Sequence, residues 1–420
     1  MRDARSLLID LFYVGVDSAD PARCVPPLLP EKPEGRTVLV AAGKAAASMA
    51  RAVEDHWDGP LEGIAVTRDG HGMDCGRIEV IEAAHPVPDD RGEMAARRLL
   101  ETVKGLGEDD LVLCLISGGG SALLALAAKG LTLADKVAIN KQLLASGAPI
   151  GQMNTVRKHL SAIKGGRLAE AAHPARVVTI GISDVPGDDP SVIASGPTVP
   201  DATTLADAKA ILDRYGLDVP AHVRAHLAEP SSETPKPGAP VFERTEFRMA
   251  ATPAEMVENV VASARERGFE VVALGAGIEG EARDIGAHHA EIALRHGRER
   301  SPDAPPLLIV SGGETTVTVR SEGGRGGRNT EYLLSLALHL DGKLPVHALA
   351  CDTDGIDGSE DNAGAIIDPQ TLHRARASGL DPRVCLDRHD SHSVFAASGD
   401  LIVTGPTRTN VNDLRLILIA

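Results

Sequence analysis

At 420 residues the chain is too long for one ordinary hydrophobic core, so two or three domains are expected. A formal net charge of -16 with only 2% aromatic residues excludes a nucleic-acid footprint, which needs basic surface and rings on which bases stack. With 43% hydrophobic and 24% charged residues the balance is that of a globular protein, and no run of about 18 apolar residues marks a membrane span.

The first twelve residues read as an amphipathic helix with Leu7, Leu8 and Leu11 facing inward, without the apolar centre of a secretory signal. Short apolar runs then alternate with helical patterns, the signature of an α/β architecture with a largely parallel sheet. Strands are expected over 37–41, 63–67, 78–83, 111–116 and 177–182, each followed by glycine or proline and then a helix. Over 229–237 the periodicity gives way to a Pro/Ser/Glu segment, which reads as a linker dividing the chain into domains 1–236 and 237–420. Beyond it a helix is expected over 254–267 and strands over 270–274, 307–310, 315–319 and 347–350. Residues 400–403 and 414–419 are expected to close the fold as a hairpin. Cys24, Cys75, Cys114, Cys351 and Cys385 are odd in number and form no C-x-x-C, which points to a reducing cytoplasm.

Several loops could carry chemistry. Ser117-Gly118-Gly119-Gly120-Ser121 follows an apolar strand and leads into a helix at Ser121. That layout presents backbone N–H groups at the carboxyl end of a parallel strand, where anions bind in open α/β folds; a tight structural turn is the competing reading. Lys44 is the one charge in the alanine-rich stretch after the first strand. In the second half, Ser311-Gly312-Gly313-Glu314 repeats the strand-then-glycine pattern. Soon after, Gly323-Gly324-Arg325-Gly326-Gly327-Arg328-Asn329 leads into a helix over 332–340, where a guanidinium can grip a carboxylate or phosphate bidentately. Two acidic loops, one with Asp184, Asp188 and Asp189 and one with Asp352, Asp354 and Asp357, offer hard oxygen ligands suited to Mg²⁺ shared with phosphates, although Asx-turns alone explain such residues. The second loop lacks the terminal Glu of a calcium loop.

Other patterns are decoys. Gly275-Ala276-Gly277-Ile278-Glu279-Gly280 matches a dinucleotide fingerprint in spacing, but Glu279 and Glu281 would repel a pyrophosphate and no acidic ribose partner follows. Gly43-Lys44 is not a P-loop, since Val38 holds the upstream glycine position and Ala45 replaces Ser or Thr. His389 and His392 lack a zinc-type third ligand, and neither Gly-x-Ser-x-Gly nor His-Glu-x-x-His occurs.

The ordered set Ala42-Gly-Lys44-Ala, His85-Pro-Val-Pro-Asp89, Ser117-Gly-Gly-Gly-Ser121, Ser183-Asp-Val-Pro-Gly-Asp-Asp189, Ala194-Ser-Gly-Pro-Thr198, Gly280-Glu-Ala-Arg283, Gly326-Gly-Arg-Asn329, Asp352-Thr-Asp-Gly-Ile-Asp-Gly358 and Thr404-Gly-Pro-Thr-Arg-Thr-Asn-Val-Asn-Asp413 resembles the class II glycerate kinase family, whose C-terminal half is the MOFRL domain. The resemblance implies an α/β fold: a Rossmann-like three-layer N-terminal domain, a second MOFRL-type α/β domain with a mixed sheet, and an active site in the cleft between them. It implies ATP- and Mg²⁺-dependent phosphorylation of D-glycerate to 2-phosphoglycerate, with D-glycerate and ATP as partners, no nucleic acid or membrane, and a homodimer compatible with it. Lys44 and Arg328 match the family's two catalytic basic residues, and Arg325 is expected to assist. Asp189 is expected to hold Mg²⁺ or orient the hydroxyl, and Asp352 and Asp354 are further Mg²⁺ candidates. Ser117, Gly118, Gly119, Gly120, Ser121, His85, Asn329 and Asn410 are expected substrate or phosphate contacts. Arg408 departs from the family pattern, where a small residue is common. Family members have often been labelled hydroxypyruvate reductases, so an NAD(P)H-dependent reductase is the alternative.

Overall fold

The computed structural model describes residues 3–301, 303–319 and 324–419. They form two compact units, one of Pro21–Ala250 and one assembled from Met1–Asp20 and Ala251–Ala420. The boundary expected at 236/237 therefore lies at 250/251, and the N-terminal helix belongs to the C-terminal unit. The physical reason for the first shift is a strand that the sequence pattern did not announce, Thr245–Ala251, which follows the proline-rich segment and completes the first unit's sheet.

The first unit is built on β1 (Thr37–Ala42), β2 (Glu62–Arg68), β3 (Ile78–Ala83), β4 (Leu111–Ile116), β5 (Arg176–Ile182) and β6 (Thr245–Ala251). Their order is β3-β2-β1-β4-β5-β6, with β1 to β5 all parallel. The central strands β1 and β4 are buried at every position, and apolar apart from Thr37, because helices cover both faces. Between β4 and β5, and again between β5 and β6, the chain departs into a helical lobe. Its helices Leu133–Ala145, Ile150–His159, Leu205–Arg214 and Ala221–Ala228 share a separate core around Ile139, Leu143, Val156 and Leu212.

The second unit has β7 (Glu270–Gly275), β8 (Gly280–Glu281), β9 (Leu307–Gly313), β10 (Thr315–Thr316), β11 (Val346–Asp352), β12 (Gly364–Ile367), β13 (Leu401–Ile402) and β14 (Asp413–Ile419). Six of these form a mixed sheet ordered β13-β12-β11-β14-β9-β7, and β8 pairs with β10 separately. The expected closing hairpin does not form. β13 ends the sheet beside β12, while β14, apolar and fully buried, inserts antiparallel between β11 and β9. A short edge strand and a buried central strand belong at different depths of the sheet, so their proximity in sequence carried no pairing information. The helix Ala4–Ser18 packs on this unit. Its buried face is Leu8, Leu11, Phe12, Gly15 and Val16, and a Cβ on Gly15 would stand 3.0 Å from Leu414 and 3.2 Å from Met256.

Candidate active site

The expected site residues fall into two groups, one in each unit. In the first unit the strand order reverses between β1 and β4, so the loops leaving their carboxyl ends flank the crevice where open α/β sheets bind ligands. Those are the Lys44 loop and the Ser117–Ser121 loop, and each holds the other. The Lys44 N–H donates to Gly118 O at 2.8 Å, and the Ala45 N–H donates to Ser117 Oγ at 3.0 Å. Gly43, at φ +136°, has no room for a Cβ, which would overlap Ser117 Oγ. Ser117 is thus fully buried and spent on shaping the Lys44 turn. Gly118 and Gly120 are buried beside it, and Gly119, at φ +79°, lies under Lys44 and the His85 ring. The helix after this loop spans only Gly120–Leu123, starting one residue earlier than Ser121 and too short to carry a helix dipole. The Ser121 hydroxyl lies 2.9 Å from that of Ser195. Ala194 and Ser195 stand at φ +50° and +62°, a left-handed backbone that non-glycine residues adopt only under constraint.

Asp189 is exposed, and its Oδ1 accepts the Ser191 N–H at 2.8 Å in an Asx-turn. Its other carboxylate oxygen accepts no hydrogen bond among the described residues, which leaves it available to a ligand.

In the second unit, register assembles the site. Asp352, Asp413 and Gly313 are direct partners across β11, β14 and β9, so carboxylates distant in sequence meet at one sheet end. The helix Arg328–Leu340 begins there, four residues before the expected start, with Arg328 as its first residue. Arg328 Nε donates to both Asp413 oxygens at 2.9 and 3.0 Å, and its two terminal nitrogens donate to Asp352 at 2.7 Å and Glu314 at 3.0 Å. Burial pulls the guanidinium pKa down, but Asp413, Asp352 and Glu314 outweigh burial and hold it well above its usual value. Arg328 is therefore a fixed, permanently charged group. Sequence reasoning missed Asp413 and Glu314 as functional residues, which only the strand pairing reveals, and read Asp357 as a metal-type ligand where it is a helix cap.

Asp357 caps the same helix from another loop. Its carboxylate accepts the N–H groups of Asn329 and Thr330, each at 2.9 Å, and the Thr330 hydroxyl at 2.9 Å. Asn329 is fully buried, with its amide donating to Asp413 at 2.8 Å, so it braces the site from inside. Asn410, 3% exposed, accepts the Asn412 N–H at 3.2 Å through its side-chain oxygen. Arg325 is exposed and paired with Glu360 at 2.6 Å, while Gly323 lies outside the described residues.

Among the described residues no group of three or more His, Cys, Asp or Glu side chains could hold a metal ion. Asp352 is committed to Arg328 and to the Asp354 N–H, and Asp354 to the Ile356 N–H. Asp189 keeps one carboxylate oxygen without a hydrogen bond among the described residues, the type of donor Mg²⁺ takes alongside phosphate oxygens and water. The Gly275–Gly280 turn folds back on β9, where the Ile278 N–H donates to Gly312 O at 3.1 Å. The helix after it starts at Ala282 behind Glu281, which leaves no glycine-framed helix start for a pyrophosphate.

The chain is similar to known proteins along nearly its whole length. Residues 7–228 match the family described as a domain of unknown function (DUF4147), and residues 307–413 match the MOFRL family. A relative from Agrobacterium vitis is 55% identical over 99% of this chain and 94% of its own, and carries a provisional name, hydroxypyruvate reductase. The glycerate 2-kinase of Pyrococcus horikoshii is 41% identical over 92% of this chain and 88% of its own. The crystal structure of glycerate kinase from Thermotoga maritima superposes with a TM-score of 0.87 at 38% identity, covering 99% of both chains. With the ordered motifs and both folds matched end to end, this chain belongs to the glycerate 2-kinase family and carries that family's MOFRL region.

Proposed function

We propose that the protein transfers the terminal phosphoryl group of ATP to the 2-hydroxyl of D-glycerate, giving 2-phospho-D-glycerate. The observation that carries this reading is Lys44, a cation at the strand-order reversal of a phosphate-binding type of sheet, its backbone fixed by its own N–H on the Gly118 carbonyl and the Ala45 N–H on the Ser117 hydroxyl. Phosphoryl transfer asks mainly for positioning and charge neutralisation. In this reading Lys44 and Arg328 neutralise the transferring group, and the carboxylates around Arg328 keep its fork oriented. Asp189 accepts the substrate hydroxyl's proton or holds Mg²⁺, which enters with the nucleotide and offsets phosphate charge. No disulfide joins any two of the five cysteines among the described residues, which supports a cytoplasmic setting.

The reductase reading has the name of the Agrobacterium vitis relative in its favour. The Gly275–Gly280 turn, which folds back on β9 and leads into a helix that starts behind Glu281, speaks against it. One preparation assayed with D-glycerate and MgATP, and separately with hydroxypyruvate and NADH, decides between them. ADP release that depends on glycerate, with 2-phosphoglycerate as product and no NADH oxidation, is expected. NADH oxidation without glycerate-dependent ADP release reverses the assignment.

A further inference from the structure

Three cations of the first unit meet where its helical lobe joins the glycine-rich loop, and among the described residues none is ion-paired with a carboxylate. The amine of Lys164, a residue 3% exposed, donates to the Ser121 carbonyl at 2.5 Å, its one hydrogen bond among the described residues. Lys136 donates to the carbonyls of Ala125 and Leu126 at 3.1 and 3.0 Å. Arg157 donates to the side-chain oxygens of Asn140 and Asn154 at 2.8 and 3.2 Å. The Ser195 hydroxyl reaches the same Asn154 oxygen at 3.4 Å and the Ser121 hydroxyl at 2.9 Å, so the cations and the two serines form one connected patch. Nearby, Lys158 shows what a structural cation looks like here: it sits on buried Asp201 at 3.4 Å.

Like charges gathered out of water without a counter-charge oppose folding. Burial, with Lys136 and Arg157 as like-charged neighbours, drives the Lys164 amine well below its usual value. Burial brings Lys136 down to about 7, with Glu93 pulling up and Arg157 down. A protein of net charge -16 has carboxylates to spare, yet Glu93, which acts on Lys136 through space, forms no ion pair with it among the described residues. The serine that joins this patch, Ser195, also sits in the left-handed run of Ala194–Gly196, and backbone strain of that kind is retained at ligand-binding loops.

We propose that Lys136, Arg157 and Lys164, with the hydroxyls of Ser121 and Ser195, are the receptor for the carboxylate of the hydroxy-acid substrate. The proposal rests on the kinase reading for the identity of that acid. A monoanion suits the patch better than a polyphosphate. Arg157 supplies one durable charge in a planar fork matched to a carboxylate, and the two amines charge fully only once an anion arrives. Specificity for an acid over a polyol follows, because an uncharged ligand leaves the cations uncompensated.

Lys164→Met and Lys136→Met test this against Lys158→Met, with thermal midpoints and separate KM values for D-glycerate and ATP. Removing an uncompensated cation is expected to leave the midpoint unchanged or raise it, whereas Lys158→Met, which strands Asp201, lowers it. The KM for glycerate is expected to rise about tenfold or more in both patch variants, with the KM for ATP within about twofold, as for loss of a charge-assisted hydrogen bond. Without nucleotide, D-glycerate and D-lactate are expected to raise the wild-type midpoint where glycerol does not, and the variants lose that rise. An unchanged glycerate KM with a lowered midpoint overturns the proposal in favour of a structural role. A rise confined to the ATP KM overturns it in favour of a phosphate subsite. If Lys164→Met does not fold, Lys136→Met decides alone. Should the wild type fail to phosphorylate glycerate, the kinase reading fails by itself, and the midpoint shifts with carboxylates still test the receptor.

Discussion

Lys44 and Arg328 are both basic and both placed by loops at strand ends, yet their removal has different physical consequences. Arg328 compensates Asp413 and Asp352, which are 0% and 2% exposed. Arg328→Met leaves Asp352 buried without its cation and Asp413 with Arg415 alone, which costs about 3–5 kcal/mol, so activity and stability fall together. Arg328→Lys keeps the charge but cannot satisfy three carboxylates in one plane, and an intermediate loss of both is expected. Lys44 is half-buried, and its loop is pinned through backbone groups and Ser117. Lys44→Ala is expected to unfold within about 0.5 kcal/mol of wild type in urea while kcat/KM falls about 10²–10³-fold. A parallel loss of stability in Lys44→Ala would make it a structural residue. At this scale the sequence was informative where a residue contrasts with its neighbours, as Lys44 does among alanines. It was silent on Asp413, whose role exists only because β14 runs antiparallel between two strands that bring Asp352 and Glu314 alongside.

Two elements position those residues, and each makes a distinct prediction. The Ser117–Ser121 turn needs Gly119 because its φ is +79° and a Cβ would stand 3.0 Å from the His85 ring and 3.2 Å from Lys44. Gly119→Ala is expected to cost about 1–2 kcal/mol from the backbone alone and to lower turnover by displacing Lys44, read as a fall in kcat beside a lower urea midpoint. The N-terminus of the helix Arg328–Leu340 depends on Asp357. Burial raises this carboxyl to about 6; the Asn329 and Thr330 N–H groups oppose that and Asp413 reinforces it. A carboxyl raised from 3.8 is favoured in its protonated form by folding. Its contribution is therefore intact below about pH 4 and is lost as pH rises to about 6, by about 3 kcal/mol at most. Asp357→Asn removes that dependence and part of the cap. The variant is expected to be clearly less stable than wild type at pH 4, with the gap narrowing by pH 7, in urea titrations across that range. A gap that widens with pH refutes this sign. Elements of one strong period were legible: β1 to β5 match expectation within a residue or two at each end. β6, half-exposed with Arg248 and Met249 inside it, and the four-residue β12 have patterns too short or too mixed to stand out.

At the scale of the whole molecule, the chain leaves one unit after residue 20 and returns to it at residue 251. The amphipathic pattern of the first helix was plain in the sequence, but a hydrophobic face does not state its partner. The partner proves to be the helix Pro253–Glu266 and the sheet behind it, reached through Gly15, Leu8, Leu11 and Phe12. The Thr409 hydroxyl also donates to Ala19 O at 2.6 Å, which ties the end of this segment to the loop that holds Asn410 and leads to Asp413. Three fully buried large side chains are worth about 1.5–3 kcal/mol each in burial, a sum comparable with the whole stability of a unit this size. Deleting residues 1–20 is therefore expected to unfold or loosen Ala251–Ala420 while Pro21–Ala250 keeps its protection. Hydrogen exchange read strand by strand checks this: β9, β11 and β14 should lose protection and β1 and β4 should not. Equal loss in both sets would mean that the helix stabilises the chain as a whole. Supplying residues 1–20 as a separate peptide should restore protection of β14 first, because Leu414 packs directly against Gly15. Recovery of glycerate-dependent turnover with the same peptide would then trace activity to the Arg328 cluster, whose carboxylates β11 and β14 present.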